Sequence, residues 1–176
     1  MTVGPLRGPG RPAGPIARGA FDAHVVALPR AADTRALGTR LGALLRAGDL
    51  VVLSGALGAG KTTLVQGIGA GMSVAGRIAS PTFVLARVHP AELPGRPALI
   101  HVDAYRLGSL DEVDDLDLDV EMDDSVVVVE WGAGLVEQLA DAWLLIELIR
   151  AADSEERTAV LSPHGGEWAS RVAMLG

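Results

Sequence analysis

One stretch limits the folds open to this chain more than any other: Ser54-Gly55-Ala56-Leu57-Gly58-Ala59-Gly60-Lys61-Thr62-Thr63, directly behind the apolar run Leu50-Val51-Val52-Leu53. It fits G-x-x-x-x-G-K-[ST] at every fixed position and lies between a β-branched strand and a helix-like segment, where that motif belongs. The glycines let the backbone turn with its N–H groups pointing inward around phosphates, an approach that side chains would block. Lys61 then supplies a point charge for the outer phosphates, Thr62 offers a hydroxyl to Mg²⁺, and the helix that follows presents its positive end to the anion. A phosphate-binding loop of this kind implies a strand–loop–helix unit, and so an α/β fold. Lys61 is also the only lysine among fifteen basic residues. A chain so biased towards Arg keeps its one ammonium where a compact cation on a flexible stem is needed.

The rest of the composition agrees. A 176-residue chain suits one domain, and 49% hydrophobic content with 3% aromatic residues describes a core of Val, Leu, Ile and Ala, as under a largely parallel sheet. There is no cysteine, which excludes disulfides and thiolate metal sites and fits a reducing, cytoplasmic setting. The net charge of −7, with acidic residues bunched between Asp103 and Asp124, disfavours direct binding of long nucleic acid. The longest charge-free stretch, Thr62 to Gly76, has 15 residues. That is short of the roughly 20 needed to span a membrane as a helix.

Read in order, residues 1–20 carry five Gly, four Pro and three Arg and are expected to be a disordered tail. The folded domain is expected over 21–163, with 164–176 carrying no diagnostic pattern. Phe21–Leu28 reads as a strand. Ala31–Ala47 reads as a helix, with Leu37, Leu41, Leu44 and Leu45 at helical spacing, Asp33 or Thr34 near its start and Gly48 as its stop. Thr63–Ala70 is the helix after the loop, expected to be frayed by Gly67, Gly69 and Gly71. Ser80-Pro81-Thr82-Phe83 is a proline turn leading into a strand to His89, and Pro90–Pro97 is a hairpin-like loop. Ala98–Val102 and Val126–Val129 are strands joined by an acidic, helix-tending segment, Ser109–Asp124. Two more strands, Trp143–Ile149 and Arg157–Leu161, flank a polar turn at 153–156.

In an open α/β sheet ligands sit outside the carboxyl ends of strands. Two carboxylates stand there: Asp103 after Ala98–Val102, and Glu130 after the four valines. Either can serve Mg²⁺ or its waters beside Thr62, since such a cation takes one or two carboxylates and completes its octahedron with waters. Asp103 can equally be a turn or cap acid. Thr82 is placed to sense the outer phosphate from its turn, or simply belongs to an ordinary proline turn. His101 reads either as a packed strand histidine or as a base, Arg106 as a partner of the acidic segment or of phosphate, and Trp131 as a stacking surface or as packing. The chain has no asparagine, so the Asn-Lys-x-Asp signature that reads guanine is absent and ATP is the default nucleotide.

Together, L-x-G-x-L-G-A-G-K-T-T, S-P-T-F, H-x-D-x-Y-R-L and V-V-V-E-W, in that order from Leu53 to Trp131, resemble the TsaE (YjeE) family, the ATPase component of bacterial tRNA threonylcarbamoyladenosine biosynthesis. The resemblance covers roughly Val25 to Leu161. It implies a single-domain P-loop fold with a mixed, mostly parallel central sheet flanked by helices, ATP with Mg²⁺ as ligand, and TsaD and TsaB as protein partners, with tRNA met only through that complex. It implies nucleotide contacts from Gly55, Leu57, Gly58, Ala59, Gly60, Lys61, Thr62 and Thr63, and looser ones from Thr34 and Arg157. Thr62 and Glu130 would serve the metal, and Asp103, Glu130 and Thr82 the hydrolysis. A small-molecule kinase and a non-catalytic ATP-dependent scaffold use the same loop, and phosphate release with and without acceptors separates the three.

Overall fold

The computed structural model describes residues 23–81, 85–106, 121–134 and 136–175. The Gly/Pro/Arg tail at 1–20, Thr82, and most of the acidic segment between the two carboxylate-bearing strands lie outside the described residues.

Seven strands form one mixed sheet. They are β1 (His24–Leu28), β2 (Leu50–Ser54), β3 (Ala86–His89), β4 (Ala98–Asp103), β5 (Ser125–Glu130), β6 (Trp143–Arg150) and β7 (Arg157–His164), in the order β1-β7-β6-β2-β5-β4-β3. The central four, β6-β2-β5-β4, run parallel, and the outer pairs β1-β7, β7-β6 and β4-β3 are antiparallel. The expected α/β class with a mixed sheet is therefore what forms. Three helices are described: α1 (Ala31–Leu44), α2 (Lys61–Met72) and α3 (Trp168–Ala173).

Strand alternation explains the core. Along β2, Val51 and Leu53 face one side and Leu50 and Val52 the other; along β5, Val126 and Val128 face with the first pair and Val127 and Val129 with the second. The first side carries all three described helices, through Leu37, Leu41, Leu64, Val65, Ile68, Trp168 and Val172. The second side is covered, among the described residues, by Met122, Val136 and the partly buried Leu139. Both faces of β2 and β5 are closed off from solvent, so both read as unbroken apolar runs.

α1 starts where Asp33 reaches back to accept the N–H of Arg30 at 3.0 Å, one arm of a capping box. It ends at Leu44, earlier than the periodicity suggests, because Leu45 turns extended (ψ 146°) and is buried in the core. The positive φ of Gly48 then redirects the chain into β2, beyond the end of the helix it was expected to stop.

α2 corrects the sequence reading in a second place. Gly67, Gly69 and Gly71 do not fray it; it runs unbroken to Met72. Gly67 and Gly71 face Gly38 and Gly42 of α1, and the two backbones close on each other there. A Cβ on Gly67 would stand 2.2 Å from the Arg35 carbonyl oxygen, and one on Gly38 would stand 2.3 Å from that of Leu64. The cost of glycine within a helix is offset by this approach, which sets how α2, and with it Lys61 and Thr62, lies against the sheet.

Past Gly165, where the sequence carries no diagnostic pattern, α3 packs Trp168 and Val172, and the turn after it Leu175, into the helix-side core. Arg171 on α3 pairs with Asp49, just before β2, through both guanidinium nitrogens Nη1 and Nη2, and Nη2 also donates to the Leu44 carbonyl at 2.8 Å.

Candidate active site

The sheet brings the carboxyl ends of β2, β4 and β5 into line: Leu53 pairs with Glu130, and Asp103 pairs with Glu130 on the other side. The loop from Ser54 to Gly60 and the start of α2 rise from this edge, and together they enclose a cleft of about 680 Å³. That is ample for a nucleotide-sized ligand. Gly58, Gly60, Lys61, Thr62 and Thr63 line it from the loop side, and Asp103 and Glu130 from the strand ends.

The loop holds its shape through glycine. Gly55, Gly58 and Gly60 have φ of 140°, 79° and 104°, and a Cβ on Gly55 would stand 2.5 Å from the Leu148 carbonyl oxygen. Lys61, the first residue of α2, is only 5% exposed. Its Nζ donates to the carbonyls of Gly55 at 2.7 Å and Ala56 at 3.1 Å, and lies 4.0 Å from the centroid of the Trp131 ring. Burial holds the Lys61 ammonium below the ordinary lysine range, while the carboxylates of Glu130 and Asp103 pull it back up. Such a group is poised to be re-stabilised by an arriving anion.

Glu130 is buried, and its Oε1 accepts the Thr62 hydroxyl at 3.3 Å and His101 Nε2 at 2.9 Å. Asp103 lines the cleft and also caps the short turn that follows, its Oδ1 accepting the Tyr105 N–H at 3.0 Å. Asp103 is thus a turn acid and a cleft residue at once. Two carboxylates and one hydroxyl are hard oxygen ligands of the kind Mg²⁺ takes, with waters and phosphate oxygens to complete its shell. Among the described residues no group of three or more His, Cys, Asp or Glu side chains that could hold a metal occurs.

The remaining expected site residues divide. Arg157, at the start of β7, lines the cleft while its Nε donates to the Ala59 carbonyl at 3.0 Å and its Nη1 to that of Glu155 at 2.6 Å, so it braces the loop from behind. Ala59 itself is buried, whereas Leu57 at the loop tip is 93% exposed. Thr34 is fully buried on α1; its methyl lies 3.8 Å from where a Gly60 Cβ would stand, so it backs the loop and does not line the cleft. Thr82 lies outside the described residues, and nearby Ser80 lines the cleft.

Two aromatic residues also line the site: Trp131, which the sequence offers as a stacking surface or as packing, and Tyr105, which the sequence shows only as part of the H-x-D-x-Y-R-L pattern. Trp131 has a left-handed φ of 63°, costly for a bulky side chain, and its N–H bonds the Leu53 carbonyl at 3.0 Å. Tyr105 packs edge-on to it, with ring centroids 5.3 Å apart, and is 69% exposed on the cleft wall. The signal for Tyr105 was its place two residues beyond Asp103 across a tight turn, a geometry that spacing alone does not reveal.

Comparison with known proteins gives a consistent answer. The sequence model of the family described as "Threonylcarbamoyl adenosine biosynthesis protein TsaE" matches residues 28–159. The chain is 56% identical over 140 residues to the tRNA threonylcarbamoyladenosine biosynthesis protein TsaE of Streptomyces coelicolor, covering 77% of this chain and 94% of that one. It is 55% identical over 141 residues to the protein of the same name from Mycobacterium tuberculosis, covering 77% and 84%. Its fold is similar to the crystal structure of YdiB from Bacillus subtilis, with a TM-score of 0.69 and 26% identity over 89% of this chain and 97% of that one.

Proposed function

The chain belongs to the TsaE family, and from that membership we propose that it is the ATP-binding and ATP-hydrolysing component of tRNA threonylcarbamoyladenosine biosynthesis, working in the cytoplasm with TsaD and TsaB. The observation that carries the reading is convergence: Lys61 and Thr62, Asp103, and Glu130, from three separate places in the sequence, meet around one cleft at the strand ends. No helix among the described residues is long and apolar enough to cross a membrane.

Each side chain has a task that follows from its surroundings. Lys61 leaves the Gly55 and Ala56 carbonyls and places its ammonium against the outer phosphates of ATP. The inward N–H groups of the loop and the start of α2 receive the inner phosphates. Thr62, by turning its hydroxyl oxygen away from Glu130, would hold Mg²⁺ together with Glu130 and Asp103, directly or through waters. There the ion would supply positive charge against the negative charge that develops as the terminal phosphoryl departs. Thr82, two residues after Ser80 in the sequence, is assigned the sensing of the terminal phosphate by the sequence and its family resemblance alone. Arg157 keeps the loop closed through Ala59.

Among the described residues no glutamine lines the cleft, and Arg157 donates to two backbone carbonyls. An orienting group supplied in trans is worth about 10³ to 10⁵ in rate in related phosphoryl-transfer systems. Hydrolysis is therefore slow alone and set by assembly, with tRNA engaged through the partners, in keeping with the net charge of −7. The test is steady-state phosphate release by the chain alone and with TsaD and TsaB, across a salt series. Slow turnover that partners change supports the reading. Fast turnover alone that partners leave unaltered, or transfer to a small-molecule acceptor instead of water, overturns it.

A further inference from the structure

His101 and Asp103 lie two residues apart on β4 and so face the same side of the sheet, towards α2. Register sets His101 beside Val128 of β5, one step along the same face from Glu130, and the imidazole spans that diagonal to reach the carboxylate at 2.9 Å. A carboxylate only accepts hydrogen bonds, so Nε2 carries the proton of this contact. His101 is fully buried, and its other ring nitrogen, Nδ1, has no hydrogen-bond partner among the described residues. Its same-face strand neighbour Leu99 packs into the helix-side core and shows what this face holds when only packing matters. The core accepts one dry nitrogen here, and the Nε2 bond to Glu130 is what the imidazole provides in return.

We propose that His101 is a positioning residue: its Nε2–H pins Oε1 of Glu130, so that the carboxylate meets Mg²⁺ and its waters in one fixed orientation. The inference rests on the metal reading of the cleft given above. Both donors fall on the same oxygen, since Thr62 also bonds Oε1, at 3.3 Å. When Thr62 turns to the metal, His101 is the side chain still holding the carboxylate in place. Partners that orient a metal-binding group in this way are worth about 10- to 100-fold in metal affinity or activity when removed.

The experiment compares His101→Gln, His101→Asn and His101→Leu with the parent by calorimetric titration of ADP, once with excess Mg²⁺ and once with chelator. Glutamine carries its amide N–H near the place of Nε2, asparagine carries its own near Nδ1, and leucine carries none. We expect metal-free ADP affinity to stay within about threefold of the parent in all folded variants. The gain in affinity on adding Mg²⁺ should be kept by Gln and reduced about 10- to 100-fold in Asn and Leu. If Leu fails to fold, the contrast between Gln and Asn, which are both polar amides, decides alone. Equal Mg²⁺ gain in parent, Gln and Asn overturns the inference, as does an equal loss with and without metal, which marks a merely structural residue. A parent that binds ADP with no response to Mg²⁺ overturns the metal reading itself, and this inference with it.

Discussion

The Lys61 ammonium stands 4.0 Å from the centroid of the Trp131 ring while donating to the Gly55 and Ala56 carbonyls, so the cation proposed for phosphate already has partners within the protein. Burial favours its neutral form, and the nearby Glu130 and Asp103 only partly oppose that. A bound polyphosphate favours the ammonium. Nucleotide binding at about pH 9.5, roughly a unit below the ordinary lysine value, should therefore take up a fraction of a proton. Calorimetry in two buffers of different ionisation enthalpy reads this directly. No net uptake between about pH 8 and 10 would count against Lys61 as the phosphate cation.

Gly67→Ala and Gly38→Ala should each destabilise the fold by about 1–3 kcal/mol or more, although alanine is the better helix former by about 1 kcal/mol. The sign reverses because the added methyl meets a backbone carbonyl at 2.2 or 2.3 Å, and neither helix can move without carrying α2 and the loop with it. Gly69→Ala meets the flexible tip of Ile78 instead and should cost less. Urea denaturation of the three variants checks the order, and a stabilised Gly67→Ala would show that the helices are free to separate.

The contrast between these glycines and the valines of β5 explains what could be read from the sequence. Val126–Val129 announces a strand buried on both faces because each residue's environment is set by its own strand, and Glu130 at its end inherits a defined place. The phosphate loop is legible for the same reason, its chemistry being local. Gly67 and Gly71 of α2 carry a signal that looks like weakness until α1 is laid against them, since the reason for each lies about 30 residues away. α3, with six residues, is too short for periodicity to register, and its hold on the domain is a pair separated by 122 positions. The contact between His101 and Glu130 requires the register of two strands, which spacing within either does not contain.

That distant pair supports a third expectation. Arg171 is 7% exposed and Asp49 is 9% exposed, and Asp49 also accepts the Arg46 N–H at 2.7 Å. Arg171→Met leaves a buried carboxylate without its cation and should cost about 3–5 kcal/mol, with part recovered by adding Asp49→Asn. Asp49 precedes β2 at the end opposite the phosphate loop, so the nucleotide affinity of the folded variant should match the parent. Denaturant midpoints and nucleotide titration together test this, and a loss of affinity at full stability would place α3 in the site's own machinery.

His89 closes β3 almost wholly buried, with its Nε2 lacking a hydrogen-bond partner among the described residues. Burial lowers its pKa below the ordinary value of 6.5; the nearby His101 and Arg87 push the same way, and a hydrogen bond to the Ala75 backbone opposes them. The charged form is thus the one the fold disfavours. As pH falls below about 6.5 the unfolded chain binds its proton first, and stability must drop until the folded state is protonated too; above about 6.5 this contribution to stability is fully present. Carboxylates titrate nearby, so the measurement is a difference: urea midpoints of the parent and of His89→Leu at about pH 7.5 and about pH 5.5. The parent should lose more stability than the variant over that interval. If both lose the same amount, His89 titrates as freely in the fold as in the unfolded chain, and the buried imidazole has a satisfied nitrogen that its surroundings do not reveal.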